Sequence, residues 1–396
     1  MKYLHISKKN STFAAQNQID MVHRDIIDSI LHDFGRGKVI VVLGPRQTGK
    51  TTLLDQLTEG QTDVYRLNCD DYDDALAITH RTSGELRNML ASHKIVLIDE
   101  AQRVENIGLT LKMLADLHLS TQVIVTGSSS LDLANKINEP ATGRLFEYNL
   151  FPLSVHEMVA HTDARTERRM LENRMIYGYY PEIVTHPSDS KRLLSIISNS
   201  YLYRDLLGYN GIKRPELLQK LVRALALQIG SEVSYNELSG LLGADRATIE
   251  TYIRLLEQCF VIFRMDSFSR NMRNEIKKGH KIYFYDNGVR NALISNYAPL
   301  ELRNDVGALW ENLMMSERRK QNIYRNQFAQ MYFWRTMAQQ EIDLIEEKDG
   351  ELFSFEFKWN ENKKAKQPIS FTNNYADVPF RVITPSNYIE WLCEGW

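Results

Sequence analysis

The residues from Gly44 to Thr51 carry the clearest chemical signal in the sequence. They read Gly-Pro-Arg-Gln-Thr-Gly-Lys-Thr, which fits the pattern GxxxxGK[ST] of a phosphate-binding loop. Glycines let such a loop curl until its backbone N–H groups point at an anion. Lys50 would then reach the β- and γ-phosphates of ATP, and the Thr51 hydroxyl would ligate Mg²⁺. The pattern therefore predicts a site for ATP and Mg²⁺.

The whole loop is expected to touch the nucleotide. Arg46, inside the loop, could serve either as a nucleotide contact or as a structural residue. The expected contacts are Gly44, Pro45, Arg46, Gln47, Thr48, Gly49, Lys50, Thr51 and Thr52, joined by Asp99 and Ser128 from later in the chain.

Two carboxylates, Asp99 and Glu100, follow the apolar run Ile95–Ile98. Ligands collect at the carboxyl ends of strands in open α/β sheets, so this pair is expected beside the loop. Asp99 would hold Mg²⁺ through water, and Glu100 would orient and deprotonate the attacking water. An acidic pair after a strand is common, so this interpretation depends on the loop.

Two further groups are candidates for a role in phosphoryl transfer. One of Thr126, Ser128 or Ser129, after another apolar run, could sense the γ-phosphate, or the segment could be a plain turn. Arg144 could stabilise charge on the transferring phosphoryl group, in its own subunit or in a neighbouring one. It could equally be an ordinary structural arginine.

A sheet is needed to hold these groups together. Short β-branched runs alternate with helical patterns up to about residue 150, which is typical of βαβ units and a mainly parallel sheet. The predicted strands are Val39–Leu43, Val64–Asn68, Ile95–Ile98, Gln122–Thr126 and Phe146–Leu150. This part is therefore predicted to be α/β, with the loop between its first strand and a helix that carries Leu53, Leu54 and Leu57.

With these motifs the chain resembles a known family, the prokaryotic AAA-like ATPases that carry a C-terminal domain of unknown function. The recurring motifs are Lys38–Arg46, Asp99–Gln102, Thr126–Ser129, Gly143–Arg144, Gly178–Glu182, Tyr203–Asp205 and Lys281–Gly288. The resemblance covers nearly the whole chain and is more specific in the ATPase half. It implies an AAA-like P-loop NTPase fold, and the ring-forming relatives suggest a homo-oligomer.

A second region has the pattern of a winged helix. A short helix that ends by Gly243 precedes a helix over Arg246–Gln258, which Asp245 can cap. Two strand-like runs follow, Val261–Met265 and Lys281–Tyr285. In a winged helix the second helix enters the major groove of DNA, and basic residues of the wing meet phosphates.

The candidate DNA contacts come from the second helix and from the basic stretch between the two strands. They are Arg246, Thr248, Thr251 and Arg254 on the helix, and Arg270, Arg273, Lys277 and Lys278 in the basic stretch. Because the helix is not strongly basic, the region could instead be an interdomain packing module.

The Asp349-Gly350 dipeptide near the C-terminus is a strong signal for a tight hairpin. A turn centred there places Asp343 opposite Glu356, and Glu341 opposite Lys358. Since side chains alternate along strands, these four residues would share one face. The other face would be core and would carry Ile342, Leu344, Phe353, Phe355 and Phe357.

This hairpin resembles the core of PD-(D/E)XK nucleases, in which acids bind Mg²⁺ and a lysine positions or activates water. The resemblance assigns metal binding to Asp343 and Glu356 and the lysine role to Lys358, with a further acid at Glu311 and a weaker candidate at Glu317. Ile342 stands where the family often has proline. The alternatives are a solvated acidic face or an inherited fold without activity.

The bulk composition describes an ordinary globular protein. The chain has 396 residues and a formal net charge of −2, which excludes a uniformly basic nucleic-acid wrapper but not local basic patches. Three scattered cysteines suggest a reducing compartment. We expect no signal peptide and no membrane-spanning run, and hence a cytoplasmic protein.

Four domains are predicted: an AAA-like ATPase domain over residues 21–153, a helical lid over 154–212, a winged helix over 213–290 and an α+β nuclease-like domain over 291–396. The preferred hypothesis is ATP hydrolysis coupled to DNA binding or processing. The alternative is a nucleotide-gated switch that binds a protein partner and carries an inactive nuclease-like domain.

Overall fold

The computed structural model describes residues 21–128, 143–200, 212, 214–269, 279–336 and 338–394. Its N-terminal part is built on a five-stranded sheet of order β2-β3-β4-β1-β5. The strands are β1 (Val39–Gly44), β2 (Val64–Asn68), β3 (Ile95–Asp99), β4 (Gln122–Ser128) and β5 (Leu145–Asn149). All neighbouring pairs are parallel, so the predicted α/β sheet is confirmed.

Helices cover both faces of this sheet. Ile40 and Val42 of β1 pack in one core, while Val39, Val41 and Leu43 pack in the other. The first face is covered by α1 (Ile27–His32) and α2 (Lys50–Leu57), and the second by α3 (Tyr72–Ile78), α4 (Ser83–Leu90) and α5 (Ile107–Asp116). Burial on both faces explains the uniformly aliphatic strands.

A helical segment follows the sheet. It comprises α6 (Val155–His161), α7 (Ala164–Tyr177), α8 (Pro181–Thr185) and α9 (Ser190–Ser200). Ser154 and Glu157 form a reciprocal capping box at the start of α6, because each side chain accepts a hydrogen bond from the other's backbone N–H, at 3.0 and 2.8 Å.

Residues 215–284 form what we call the helix–hairpin module. Its elements are α10 (Pro215–Leu227), β6 (Glu232–Val233), α11 (Tyr235–Leu242), α12 (Arg246–Gln258), β7 (Ile262–Ser267) and β8 (His280–Phe284). Strand β8 pairs antiparallel with β6 and β7. As predicted, Asp245 caps α12 by accepting a hydrogen bond from Thr248 N at 2.8 Å. The module has its own apolar core.

The C-terminal part adds helices and a second sheet. Its elements are α13 (Asn287–Leu293), α14 (Val306–Tyr324), β9 (Gln330–Arg335), β10 (Glu341–Lys348), β11 (Glu351–Phe357), α15 (Ile369–Asn374), β12 (Phe380–Ile383) and α16 (Tyr388–Cys393). The sheet has seven strands in the order β12-β11-β10-β9-β7-β8-β6. Strands β7 and β9 pair in parallel and join the helix–hairpin module to the C-terminal part.

The expected domain boundary at residue 290 does not coincide with a structural break. Helix α13 runs across it, from Asn287 to Leu293. The seven-stranded sheet also continues from one side of the boundary to the other. Glycine and proline positions do not predict this continuity across residue 290, because strand pairing between distant segments leaves no local signal in the sequence.

The register of the β10–β11 hairpin agrees with the prediction from Leu344 to the turn. Leu344 lies opposite Phe355, and Lys348 lies opposite Glu351. The face prediction for Ile342 was wrong. A bulge against β9 lies between Ile342 and Ile345, and Ile342 packs with Ile345 in a small core away from Leu344. A bulge adds a residue on one strand and so breaks strict alternation.

Two of the motifs from the family resemblance interlock. The Asp286 carboxylate accepts a hydrogen bond from Tyr179 N at 2.7 Å, close to Gly178. A Cβ on Gly288 would lie 2.1 Å from the carbonyl oxygen of Tyr177. These motifs therefore join the end of α7 to the start of α13.

The first sheet and the C-terminal part share one apolar core. The Phe151 ring stacks on Tyr285 with centroids 4.9 Å apart, and Phe151 N donates to the Tyr324 hydroxyl at 2.9 Å. Among the described residues, no helix is both long and apolar enough to cross a membrane.

Candidate functional site

The loop after β1 is shaped by close backbone contacts. A Cβ on Gly44 would lie 2.2 Å from the carbonyl oxygen of Leu150, so only glycine fits there. Gly49 has φ +88° and immediately precedes α2. The loop therefore ends at a helix N-terminus, where free N–H groups and the helix dipole favour an anion.

The Lys50 side chain lies inside the loop. It is buried, and its ammonium donates to the carbonyl oxygens of Gly44 at 3.1 Å and Pro45 at 3.0 Å. The Thr48 hydroxyl donates to Pro45 O at 2.8 Å. Among the other expected contacts, Gln47, Thr51 and Thr52 are exposed and Arg46 is half-buried.

Asp99, at the end of β3, lies directly beside the loop. Its carboxylate accepts hydrogen bonds from the hydroxyl of Thr51 at 2.7 Å and from the hydroxyl of Thr126. The Thr51 hydroxyl and the Asp99 carboxylate are oxygen donors of the kind that a hydrated Mg²⁺ uses beside nucleotide phosphates. These two residues therefore fit the expected ion.

Glu100 adopts a left-handed conformation with φ 54°, which a non-glycine residue rarely takes. Its carboxylate accepts a hydrogen bond from the side-chain amide of Gln102, and the amide oxygen of Gln102 accepts from Ser128 N at 3.2 Å. Gln102 thus links Glu100 to the end of β4. The sequence places Gln102 in the Asp99–Gln102 motif, but residue type alone does not predict this bridge.

The three sensor candidates differ in their placement. Thr126 contacts Asp99 and accepts from Glu100 N at 3.3 Å. The Ser128 hydroxyl is buried and has no hydrogen-bond partner among the described residues. Ser129 lies outside the described residues.

Arg24 was missed at the sequence level. Its buried guanidinium donates to Thr48 O at 2.7 Å, to Phe151 O at 2.7 Å and to the Glu157 carboxylate at 2.9 Å. It therefore ties the phosphate loop to the end of the sheet and to α6. No local pattern marks it, since its partners lie far away in sequence.

Arg144 lies beside the amino-terminal end of β1, whereas the phosphate loop follows the carboxyl end of that strand. Its carbonyl oxygen accepts from Val39 N at the start of β1, and its side chain pairs with Asp116 at 2.6 Å. With about 3.3 Å per strand residue, the length of β1 separates Arg144 from Gly44 by roughly 16 Å. This placement is at odds with action on its own nucleotide, whereas action on a neighbouring subunit's ATP stays a prediction.

A second group of titratable residues surrounds Asp343 in the C-terminal part. The carboxylates of Glu311 and Glu356 are near enough to Asp343 to interact with it electrostatically. The Lys358 ammonium lies 2.5 Å from the Glu356 carboxylate. All four predicted residues are thus brought together. Glu317 is committed elsewhere, since it pairs with Lys320 at 2.6 Å and accepts from Val155 N at 2.7 Å.

Lys281 joins this group from a distant strand, and no local sequence pattern places it there. Its buried ammonium contacts the carboxylates of Glu311, at 2.9 Å, and Glu341. Burial alone would lower the pKa of Lys281, but these carboxylates outweigh it and hold the pKa well above its usual value. Burial, with the charges of Glu311 and Glu356, raises the pKa of Asp343 well above its usual value.

The acidic group does not have the arrangement of a metal centre. Nowhere in the described parts of the chain are three or more His, Cys, Asp or Glu side chains placed to hold a metal ion. Asp343 accepts a hydrogen bond from Phe357 N at 2.8 Å, and Lys281 stands between Glu311 and Glu341. The predicted metal role of Asp343 and Glu356 therefore does not fit this geometry.

The candidate DNA contacts on α12 are only partly available. Arg246 pairs with Glu250 at 2.8 Å, and the Thr248 hydroxyl donates to the Asp245 cap at 2.6 Å. Arg254 is exposed. Arg273 and Lys277 lie outside the described residues.

Comparison with known families divides the chain into three. Residues 36–159 match the AAA domain. Residues 168–300 and 306–395 match two domains of unknown function, DUF8612 and DUF4143.

Similar proteins extend over most of the chain. An uncharacterized protein of Mycobacterium tuberculosis is 26% identical over 341 residues, which make up 85% of this chain and 73% of that protein. An uncharacterized protein of Haemophilus influenzae is 25% identical over 283 residues, or 65% of this chain and 70% of that protein.

A solved structure shares the fold. The Walker-type ATPase PABY2304 of Pyrococcus abyssi superposes with a TM-score of 0.50 and 16% identity, covering 69% of this chain and 96% of that one. With the parallel sheet and the AAA match over residues 36–159, this likeness supports a P-loop NTPase fold for the N-terminal part.

Proposed function

We propose that the loop Gly44–Thr51 binds ATP with Mg²⁺ and that the chain hydrolyses it there. The observation that carries this proposal is the contact of Thr51 and Thr126 with Asp99, beside a buried Lys50 at the same sheet edge. Hydrolysis needs these groups together, because positive charge and hydrogen-bond donors must stabilise the negative charge that develops on the transferring phosphoryl group.

Each residue has a distinct part in this mechanism. Lys50, which donates to carbonyl oxygens of the loop, would contact the β- and γ-phosphates, and Thr51 and Asp99 would hold the Mg²⁺. When bound, the ion would neutralise negative charge on the phosphates. Glu100, oriented by Gln102, accepts a proton from the attacking water.

We further propose that this ATPase is coupled to DNA through the helix–hairpin module. The order helix, strand, helix, helix and two strands, with β8 between β6 and β7, supports a winged helix. In that reading α12 enters the groove and presents the exposed Arg254. The parallel pairing of β7 with β9 supports transmission of movement to the C-terminal part.

The position of Arg144 relative to its own phosphate loop supports a homo-oligomer as a further proposal. Arg144 lies about one strand length from its own loop and is half-buried, in a pair with Asp116. In an assembly it would approach the ATP of the adjacent subunit. There it would supply positive charge to the transferring phosphoryl group.

A nucleotide-gated switch that binds a protein partner is the second candidate. It is favoured by exposed apolar side chains on the helix–hairpin module, where Leu227 of α10 is 63% exposed and Leu241 of α11 is 64% exposed. Exposed leucines suit an apolar partner surface better than a phosphate backbone.

The two candidates are separated by the ATP turnover of the full chain with and without duplex, branched or single-stranded DNA. Coupling to DNA predicts a faster rate with DNA, and a smaller increase in the Arg254→Ala variant. Arg169→Ala, which removes an exposed arginine from α7, is the matched control. A rate that no DNA changes would exclude coupling and favour the protein-binding switch.

A further inference from the structure

The ammonium of Lys281 lies among the acids of the C-terminal part. Lys281 is 2% exposed and is placed by β8, whereas Glu311 comes from α14 and Glu341 from β10. Its Nζ lies 2.9 Å from Glu311 Oε1 and also contacts the Glu341 carboxylate. One buried cation therefore bridges two carboxylates from different elements.

The neighbouring groups hold this arrangement in place. The Tyr283 hydroxyl, two residues along β8, donates to the same Glu311 oxygen at 2.6 Å. Arg335 lies 3.7 Å from the other oxygen of Glu341. Both bridged acids thus have a further donor, and Lys281 could not move away without losing its contacts with two partly buried carboxylates.

The remaining acids are engaged too. Asp343 accepts a hydrogen bond from Phe357 N at 2.8 Å, and Glu356 pairs with Lys358 at 2.5 Å. Neighbouring carboxylates repel one another unless a positive charge lies between them. In metal-dependent nucleases a divalent ion supplies that charge, whereas here a lysine does.

We propose that Lys281 is a built-in counter-ion that takes the place of a divalent metal and closes this acidic cluster to Mg²⁺ and Mn²⁺. The nuclease-like part of the chain then serves as a scaffold and does not cleave DNA by a metal-dependent route. This inference rests on the nuclease-like fold that the hairpin resemblance predicts, but not on the proposed DNA coupling of the ATPase. A metal ion would have to enter beside a buried ammonium and compete for the same carboxylate oxygens.

The test is Mn²⁺ binding to the nucleotide-free full chain, followed by electron paramagnetic resonance of the free ion. Wild type and Asp343→Asn are expected to bind the same amount of Mn²⁺. Lys281→Met keeps a similar length but removes the charge, and it should gain about one Mn²⁺ per chain. Asp343→Asn in the Lys281→Met background should remove that gain.

Lys364→Met, which removes an exposed lysine, is the control for overall charge and should gain no site. Wild-type binding that Asp343→Asn abolishes would overturn the proposal, and this comparison needs no Lys281 variant. A folded Lys281→Met chain, judged by its thermal melt and its ATP turnover, that gains no Mn²⁺ would also overturn it. The result is independent of whether DNA stimulates ATP turnover.

Discussion

The guanidinium of Arg24 donates a 2.7 Å hydrogen bond to the carbonyl oxygen of Thr48, inside the phosphate loop. The same side chain pairs with Glu157, whose carboxylate also accepts from the backbone of Ser154. Phe151, which accepts from Arg24, donates in turn to Tyr324 of α14. One buried arginine therefore connects the loop with the packing of the C-terminal part.

Replacing Arg24 by lysine should weaken ATP binding. Lysine keeps the charge beside Glu157 but has no planar fork with which to reach three acceptors at once. The KM for ATP should rise severalfold with a smaller change in kcat, measured by steady-state ATP turnover. Arg66→Lys, at an exposed pair with Asp55, is the control and should leave both constants unchanged.

Complete truncation of Arg24 should act on folding as well. In Arg24→Ala the buried Glu157 loses its cationic partner, and the free energy of unfolding should fall by roughly 3–5 kcal/mol. A Lys variant with unaltered KM, together with an Ala variant of unaltered stability, would contradict this account of Arg24.

Removing the side chain of Gln102 should slow turnover and spare binding. Gln102 holds the Glu100 carboxylate, and the loss of one such hydrogen bond, worth about 1 kcal/mol, corresponds to roughly a fivefold lower kcat. The comparison is Gln102→Ala against Gln61→Ala, which changes an exposed glutamine. Equal kcat in the two variants would show that Glu100 needs no support from Gln102.

Gly288→Ala should destabilise the chain. The added Cβ would meet the carbonyl oxygen of Tyr177 at 2.1 Å, and relief of that contact requires a backbone shift costing about 1–3 kcal/mol. Gly84→Ala in α4 meets no atom within 4 Å and should be neutral or stabilising by up to about 1 kcal/mol. Thermal melts measure both, and an unchanged Gly288→Ala melt would contradict the interlock of α7 and α13.

His156 should make a pH-dependent contribution to stability. Its pKa is raised above 6.5, first by its hydrogen bond with Asp25, despite partial burial. A raised pKa in the folded state means that the contribution is present below about pH 6.5 and is lost as the pH rises through the folded value. The melting-temperature difference between wild type and His156→Gln should therefore be larger at pH 5.5 than at pH 9, and the opposite order would contradict it.

The sequence predicted the candidate site best where its residues are consecutive in the chain. The loop at Gly44–Thr51 and the Asp99–Glu100 pair follow aliphatic strands whose burial is evident from composition, so their common edge could be predicted. The register of the β10–β11 hairpin followed from the Asp349-Gly350 turn alone.

The relations that could not be predicted join distant segments. Arg24 and Glu157, or Lys281 and Glu311, meet only because the fold brings them together, and nothing in their local sequence shows it. The misplaced Ile342 has another cause, since a bulge leaves no reliable mark in a short apolar run. The sequence left open whether Arg144 acts on its own nucleotide, and the fold places it at the other end of the parallel strands from the loop.

The most direct test of the central claim is ATP turnover by Glu100→Gln, measured together with binding of a fluorescent ATP analogue. Loss of the general base should lower the rate by about 10²-fold or more while binding is kept. Lys50→Ala should lose binding as well, because its ammonium is the group assigned to the phosphates. Full turnover in both variants would contradict ATP hydrolysis at the Gly44–Thr51 loop.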